Sequence, residues 1–329
     1  RVVIRPQTST PVATLTSPTS LQQRAKEVLP VKLNFWGNLT KDGKGEQMTE
    51  LRELAINGVL GFTDNQQIES LGMLWRLLEY LKPLEKPIAL VPDCFSLKGN
   101  GVIREGSSSI NYGLNVNPSI AESTAVASIL EVVAVTQTPV HLMRISTHRS
   151  IELIAWGKSR GIPVTASTTW MHMLLDSEAI ASYDPNLRLN PPLGNPEDRT
   201  ALINGISEGV IDMIAVDHHA YTYEEKTVPF AEAPPGTIGL ELALPLLWQE
   251  LVATKKLSAV QLWKALSSEP RKYLGEPLTS IKEGSPLEFI IFDPNKSWEI
   301  SPSNLSSLSH NTFWLGHKIK GKVTASFIK

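Results

Sequence analysis

The chain has 329 residues, of which 42% are hydrophobic and 19% charged, and its formal net charge is −2. This composition is that of an ordinary globular protein that can bury a large core. Lysine and arginine are spread along the chain, which argues against a nucleic-acid-binding face, and the apolar runs are too short to span a bilayer. The single cysteine, Cys94, excludes a disulfide or a cysteine-cluster metal site within this chain, and it suits a cytoplasmic location.

Short apolar runs and helical periodicities alternate along the chain in a β-α order. The runs predict strands at residues 2–4, 31–39, 59–63, 87–91, 140–145, 164–168 and 211–216. The periodic segments predict helices at residues 20–29, 46–57, 67–82, 118–135, 150–160, 197–208, 240–253 and 259–267. Two segments rich in Gly, Ser, Pro and Asn predict loops, at residues 99–117 and 184–196.

This alternation predicts the α/β class and a (β/α)8 TIM-type barrel over residues 1–275. Seven strands are visible and a closed barrel has eight, so we expect the first strand to precede Arg1. A doubly wound open sheet is the alternative, but no glycine-rich phosphate turn follows any of the strands. Residues 276–329 have strand-like runs and little helix, and they predict a C-terminal β segment that belongs to a small composite β domain.

The predicted strand at residues 211–216 is followed by Asp217, His218, His219 and Tyr221. In a barrel of this class the carboxyl ends of the strands carry the catalytic side chains. An aspartate at this edge can act as a general base. The two histidines point to opposite faces for as long as the strand continues, so both cannot reach one metal ion. The structural alternative is that Asp217 caps the next segment and that His218 packs locally.

Several motifs follow one another between residues 163 and 241. They are Pro163-Val-Thr-Ala, Tyr183-Asp-Pro-Asn-Leu-Arg-Leu-Asn-Pro-Pro-Leu, Gly209-Val-Ile-Asp-Met-Ile-Ala-Val-Asp-His and Ala233-Pro-Pro-Gly-Thr-Ile-Gly-Leu-Glu. In these motifs the chain resembles the dihydroorotases of the amidohydrolase superfamily, particularly the bacterial type that often partners aspartate carbamoyltransferase. The resemblance extends over nearly the whole chain. It implies a zinc-dependent hydrolase on cyclic amides that interconverts carbamoyl aspartate and dihydroorotate in pyrimidine biosynthesis.

The resemblance also implies roles for individual residues. Asp217 takes the position of the catalytic proton carrier and metal ligand, and His172 takes that of a histidine ligand. Cys94 stands where the family has a metal-bridging aspartate, and a thiolate there is still able to bind zinc. Four further residues occupy substrate-binding positions, the last of them in place of the family's asparagine: Asn190, Pro235, Gly236 and Gln7.

Three replacements alter the implied site: Arg144 for a family histidine, Met171 for the first histidine of a Pro-His-His motif, and Tyr221 for the histidine of Ala-Pro-His. A guanidinium is permanently charged and cannot ligate a metal. We therefore expect Arg144 to repel zinc and to offer its donors to Asp217, which stays ionised. The plainer interpretation of His172 is a packed histidine, and that of Cys94 is a small buried hydrophobe.

Two functional hypotheses of different classes follow. One is an active zinc dihydroorotase that works with Asp217, His172, Cys94 and an upstream histidine pair. The other, which the replaced residues favour, is a non-catalytic relative with a degenerate site. Such a relative would act as a structural or regulatory partner, as a homodimer or with aspartate carbamoyltransferase. A different amidohydrolase reaction is a third option. Four acidic residues without a role in any of these are expected on solvated faces or at caps: Glu122, Glu131, Glu224 and Glu225.

Overall fold

The computed structural model describes residues 2–5, 31, 33–278, 280–284 and 288–328. The helix predicted at residues 20–29 and the predicted substrate-binding residue Gln7 lie outside the described residues. A parallel sheet is built from β1 (Val2–Ile4), β2 (Leu33–Asn38), β3 (Gly61–Thr63), β4 (Ile88–Leu90), β7 (Val140–Leu142), β8 (Val164–Thr169) and β9 (Met213–Ala215). These seven strands are hydrogen-bonded in chain order.

The sheet curls, so its two edges approach each other at the carboxyl ends of the strands. Arg5 directly follows β1 and Asp217 lies two residues after β9, yet each experiences the other's charge. Within the described ranges no strand joins β1 to β9. The curled parallel sheet with its outer helices confirms the predicted α/β barrel architecture and all seven predicted strands. The eighth strand stays a prediction.

Helices connect the strands and cover the outer face of the sheet. The α-helices are α1 (Leu51–Ile56), α2 (Leu71–Leu81), α3 (Phe95–Lys98), α4 (Ser107–Tyr112), α5 (Ile120–Thr136), α6 (His148–Ser159), α7 (Trp170–Leu174), α8 (Pro196–Glu208), α9 (Tyr223–Lys226), α10 (Ala243–Leu247), α11 (Ala259–Trp263) and α12 (Glu269–Tyr273). Short 3-10 helices lie at Lys41–Gly43, Lys82–Leu84, Ser177–Ser182 and Pro185–Leu187, and π-helical turns at Trp248–Val252 and Lys264–Ser268. No helix in the described part of the chain is long and apolar enough to cross a membrane.

Two sequence predictions are wrong in detail. Residues 99–117, predicted to be a loop, contain helix α4 and two short strands that pair in parallel, β5 (Ile103–Arg104) and β6 (Val116–Asn117). The small polar residues of this segment are typical of loops, but serine is also favoured at the start of a helix. Composition alone therefore does not distinguish the two. The helix predicted at residues 46–57 begins only at Leu51, because a bridge between Thr40 and Met48 holds the preceding residues in a non-helical conformation.

The main core lies between the sheet and its outer helices. Leu74, Leu77, Leu78 and Leu81 form an apolar stripe along α2, and each is at most 2% exposed. They belong to one contiguous cluster with Phe62 of β3. Burial of such side chains contributes roughly 1.5–3 kcal/mol each. Through this stripe α2 packs against the sheet, and the packing stabilises the strands.

The C-terminal segment forms a separate antiparallel sheet of β10 (Glu288–Glu299) and β11 (Lys318–Ile328). Phe292 of β10 packs against Trp248 and Trp263, with ring centroids 5.3 and 6.4 Å away. These aromatic contacts attach the small sheet to helical segments that follow β9 in the chain. This confirms the predicted small β appendage.

Asn311, between β10 and β11, ties the C-terminal segment to the barrel. Its Oδ1 accepts from the backbone N–H of Tyr221 at 3.1 Å, and its Nδ2 donates to the carbonyl of His219 at 3.0 Å. Its own carbonyl accepts from the N–H of Ile238 at 3.1 Å. Asn311 is only 6% exposed, and removal of its side chain would leave two partly buried backbone groups without these partners.

We expect Asn311→Ala to lower the free energy of unfolding by about 2–4 kcal/mol, because a buried side chain is removed and two partly buried backbone groups lose their hydrogen bonds. Asn304→Ala is the matched control, since the Asn304 side chain donates to the carbonyl of Glu299 in an exposed contact. The effect of the control should stay within about 0.5 kcal/mol. Urea titration followed by circular dichroism measures both variants. Equal free energies of unfolding for the two variants would show that Asn311 does not tie the C-terminal segment to the barrel.

Candidate functional site

An ion pair between Arg144 and Asp217 occupies the carboxyl edge of the sheet. Arg144 lies two residues after β7 and Asp217 two residues after β9, and parallel strands bring such residues to one end of the sheet. Arg144 Nη2 lies 2.6 Å from Asp217 Oδ1, and Arg144 Nη1 donates to the carbonyl of Asn190 at 3.1 Å. The contact between Arg144 and Asp217 is the one that the sequence predicts.

Both partners adopt left-handed backbone conformations, with φ of 60° at Arg144 and 46° at Asp217. Such angles cost a non-glycine residue roughly 1–3 kcal/mol and persist only where the surrounding structure fixes them. On either side of Arg144, the N–H groups of Met143 and Ile145 donate to carbonyls of β4 and β8 at 2.9 and 2.8 Å. The sheet therefore helps to hold the ion pair in place.

The charges around Asp217 decide its protonation. Burial alone would raise the pKa of Asp217, but Arg144, Arg5 and His219, together with the hydrogen bond from Arg144, hold it below its usual value. Burial and the charge of Arg144 lower the pKa of Arg5 to about 10, so Arg5 remains charged at neutral pH. Asp217 is thus an ionised carboxylate that lies in the field of two guanidinium groups.

Asn190, predicted to bind substrate, is held by two cationic side chains. Its carbonyl accepts from Arg144, and its Oδ1 accepts from Lys98 Nζ at 3.1 Å. Lys98 also forms an ion pair with Asp93. The structure thus brings Asn190 to the site, but with its side-chain oxygen already engaged.

His172, predicted to be a metal ligand, is 2% exposed and has a partner at each ring nitrogen. Nδ1 lies 2.7 Å from Thr169 Oγ1, and Nε2 lies 3.2 Å from the carbonyl oxygen of Pro192. A carbonyl only accepts, so Nε2 carries the proton and the lone pair of Nδ1 accepts from the threonine hydroxyl. Burial lowers the pKa of His172 to about 4, which keeps the ring neutral. This geometry is that of a packed histidine.

The loop at residues 233–239 closes one side of the site. The Tyr221 hydroxyl donates to the carbonyl of Pro235 at 3.1 Å, and Lys226 Nζ lies 5.0 Å from the centroid of the tyrosine ring. Gly236 has a φ of 132°, and a Cβ at this position would lie 2.6 Å from His219 Cβ. Only glycine fits there. The predicted substrate-contacting residues Pro235 and Gly236 therefore pack against side chains of the strand end.

The cavity beside Asp217 is small. Its described lining includes the buried Met171, His172 and Thr237 and the half-buried Asn190, and its volume is about 10 Å³. This is about the space that one water molecule needs, whereas small-molecule sites typically have roughly 300–1,000 Å³. The cavity formed by these described residues is thus far smaller than a cyclic amide requires.

A larger cavity of about 340 Å³ lies beside His218, and Asp217 is not among its described lining residues. Nδ1 of His218 accepts from the N–H of Gly239 at 3.1 Å. His218 therefore packs locally, as the structural alternative for it predicted. Within the described part of the chain, Asp217, His218 and His219 are not grouped as a three-ligand metal site.

Zinc, which the family resemblance implies, does not fit the donors that the structure describes. Zinc sites use three or four nitrogen, oxygen or sulfur ligands from the protein. Across the described ranges, no three His, Cys, Asp or Glu residues are grouped closely enough to hold an ion. Asp217 and His172 already have other partners, and the half-buried Cys94 places its Sγ 3.2 Å from Ser96 Oγ.

Glu122, predicted to lie on a solvated face or at a cap, is instead 4% exposed and lies behind the Arg144 turn. It accepts from the N–H groups of Ser146 and Thr147 at 3.0–3.1 Å and from both of their hydroxyls. A buried carboxylate is tolerated here because these donors surround it. Glu225, by contrast, caps α9 as predicted, since it accepts from the N–H of Thr222.

The curated proteins that are similar in sequence carry dihydroorotase or dihydroorotase-like names. No family model matches the chain. A "Probable dihydroorotase-like protein" of Synechocystis sp. is 48% identical over 304 residues, which span 90% of this chain and 68% of that protein. A "Dihydroorotase" of Carboxydothermus hydrogenoformans is 34% identical over 322 residues, which span 97% of this chain and 75% of the relative.

Solved structures support the same fold. An L-hydantoinase (dihydropyrimidinase) from Arthrobacter aurescens superposes with a TM-score of 0.86 at 20% identity, covering 99% of this chain and 75% of its own. The "Inactive dihydroorotase-like domain" of a CAD-like multifunctional protein from Chaetomium thermophilum gives a TM-score of 0.67 at 18% identity, covering 99% of this chain and 82% of its own. By its sequence relatives and its barrel, this chain belongs to the dihydroorotase-like family of amidohydrolases.

Proposed function

We propose that this chain is a non-catalytic member of its family, in which Arg144 takes the electrostatic place of a metal. The observation that carries the proposal is the 2.6 Å contact between Arg144 Nη2 and Asp217 Oδ1. A guanidinium has only donors, so it pairs with the carboxylate but cannot generate a metal-bound nucleophilic water. The group that would move the proton in a dihydroorotase is therefore occupied.

The strength of the ion pair supports this proposal. Two unit charges about 4 Å apart gain roughly 4 kcal/mol at an effective dielectric near 20, before the cost of their desolvation. The Arg144 and Asp217 side chains are 8% and 24% exposed, so solvent screens the pair only in part. Movement of Arg144 away from Asp217 would also break its hydrogen bond to Asn190. We propose that the zinc of the family has been lost for this reason.

We further propose a structural or regulatory role in the cytoplasm, as a homodimer or with aspartate carbamoyltransferase. One solved neighbour is named an inactive dihydroorotase-like domain within a multifunctional protein, which gives a precedent for a barrel that persists without activity. The domain division at residue 275 is part of this proposal. It divides the chain into the barrel and the C-terminal β segment, which contact each other through Asn311 and Phe292.

The second candidate is an active zinc dihydroorotase that uses dihydroorotate and carbamoyl aspartate. It is favoured by the retained, ionised Asp217 and by relatives named dihydroorotase at 34% identity. This function requires Arg144 to leave Asp217 and requires metal ligands from outside the described residues. The two candidates therefore differ in metal content and in turnover.

We expect the purified protein with added zinc to show neither dihydroorotate hydrolysis nor stoichiometric bound zinc. The reason is that Arg144 pairs with the carboxylate of Asp217 and that its positive charge repels the zinc ion. A spectrophotometric turnover assay and elemental analysis measure the two properties. Arg144→His is tested beside the parent, and zinc that binds only to this variant would identify the guanidinium as the group that excludes the metal. Turnover of order 1 s⁻¹ or more in the parent, with bound zinc, would establish the second candidate instead.

We expect Asp217 to stabilise the fold above about pH 4 and to lose this contribution on acidification. Its pKa is lower in the folded chain than in the unfolded chain, where the pKa of aspartate is about 3.9. The folded state thus binds fewer protons, and stability falls as the pH drops through and below that value.

Asp217→Asn should therefore flatten the pH dependence of the unfolding free energy between about pH 5 and pH 2. Asp42→Asn is the matched control, because Asp42 has a similar φ of 57° and a side chain that is 61% exposed. Urea titrations across this range give the slopes. A slope in the Asp217 variant equal to that of the parent would contradict the expected role of the ion pair.

A further inference from the structure

The turn that carries Arg144 is connected to two buried charges behind it. Arg104 Nη2 donates to Ser146 Oγ at 2.8 Å, and Ser146 Oγ in turn donates to the carboxylate of Glu122. Arg104 is 1% exposed and Glu122 is 4% exposed. The serine hydroxyl thus links a buried cation to a buried anion, and each charge favours the other's burial.

We propose that Glu122 is a positioning residue for the ion pair between Arg144 and Asp217, and that it acts through the backbone of Ser146 and Thr147. It touches neither partner of the ion pair. The proposal rests on the ion pair of the proposed function, but it does not depend on the absence of catalysis.

The hydrogen bonds fix the segment that follows Arg144. The N–H groups of Ser146 and Thr147 both point at the Glu122 carboxylate, at 3.0–3.1 Å. Thr147 also caps helix α6, because its hydroxyl oxygen accepts from the N–H of Ser150 at 3.3 Å. With this segment fixed, Arg144 keeps its φ of 60° and its guanidinium reaches across to Asp217.

A glutamine at position 122 tests the role because it keeps the size of the side chain. The carboxylate accepts from four groups, whereas a carboxamide has one oxygen and presents an NH₂ group to donors that need an acceptor. We expect the segment at residues 145–147 to shift in Glu122→Gln. The left-handed turn at Arg144 then relaxes, and the guanidinium leaves Asp217.

The first readout is the side-chain NMR spectrum of Arg144. A guanidinium held in an ion pair rotates slowly and gives separate Nη resonances, which are assigned by their loss in Arg144→Met. We expect these resonances to merge in Glu122→Gln, while Arg144 itself is unchanged in sequence. A role confined to general stability would lower the melting temperature and leave the resonances separate.

The second readout is the coupling between Arg144 and Asp217 in a double-mutant cycle of unfolding free energies. Arg144→Met and Asp217→Asn are made singly and together, once in the parent and once with Glu122→Gln. We expect clear coupling in the parent and coupling close to zero with Glu122→Gln. Coupling of the same size in both would overturn the proposal.

Asp64→Asn is the matched control. Asp64 is 2% exposed and follows β3, where it accepts from the N–H groups of Leu39 and Thr40 at 3.0 and 3.2 Å and from the Thr40 hydroxyl. It is thus another buried carboxylate that fixes a strand end, but away from Arg144. We expect it to lower stability and to preserve the separate Arg144 resonances. Merged resonances in this control would overturn the specific role of Glu122.

Ser146→Ala covers the case in which Glu122→Gln does not fold. It removes one hydroxyl that bridges Glu122 and Arg104 and leaves the backbone N–H groups in place. We expect a partial loss of the coupling, and full coupling would overturn the proposal. The coupling and the Arg144 spectrum are measured on the metal-free protein. Turnover with added zinc in the parent would therefore refute the proposed function alone, because it leaves the metal-free ion pair and its dependence on Glu122 unchanged.

Discussion

The contact between Arg144 and Asp217 joins the ends of two strands that are separated by a third, because β8 lies between β7 and β9. It therefore acts as a cross-link of the barrel mouth as well as a neutralisation of charge. A zinc ion bound to several strands would provide the same link, since one centre gathers side chains from each of them. An arginine keeps the link but offers no open coordination position. The ion pair can therefore link the ends of β7 and β9 without a metal ion.

The part of the site that follows from strand ends was predictable from sequence. Arg144 and Asp217 come after apolar runs, and parallel strands end at one edge, so their contact could be inferred without coordinates. Arg5 also follows such a run, but the family resemblance assigns a substrate-binding position to Gln7 and no role to Arg5. Its influence on Asp217 depends on the curl of the sheet, which no local pattern contains.

Other features depended on contacts between distant parts of the chain. Lys98 and Asn190 are separated by 92 positions, and Glu122 and Ser146 by 24. A glutamate in a helix is ordinarily solvated, so only the arrangement of donors around Glu122 shows why it is buried. His172 illustrates the same limit. Its position matches a ligand of the family, whereas its two hydrogen-bond partners determine what its ring can do.

Asn311 has a consequence for the order in which the protein is completed. The backbone groups of His219 and Tyr221 obtain their partners from a residue 90 or more positions later in the chain. During synthesis, the strand end that carries Asp217 therefore emerges well before the side chain that fixes the loop beside it. The mouth of the barrel reaches its final form only when the segment that carries Asn311 has been synthesised and has docked, so the nascent barrel is exposed at this edge until then.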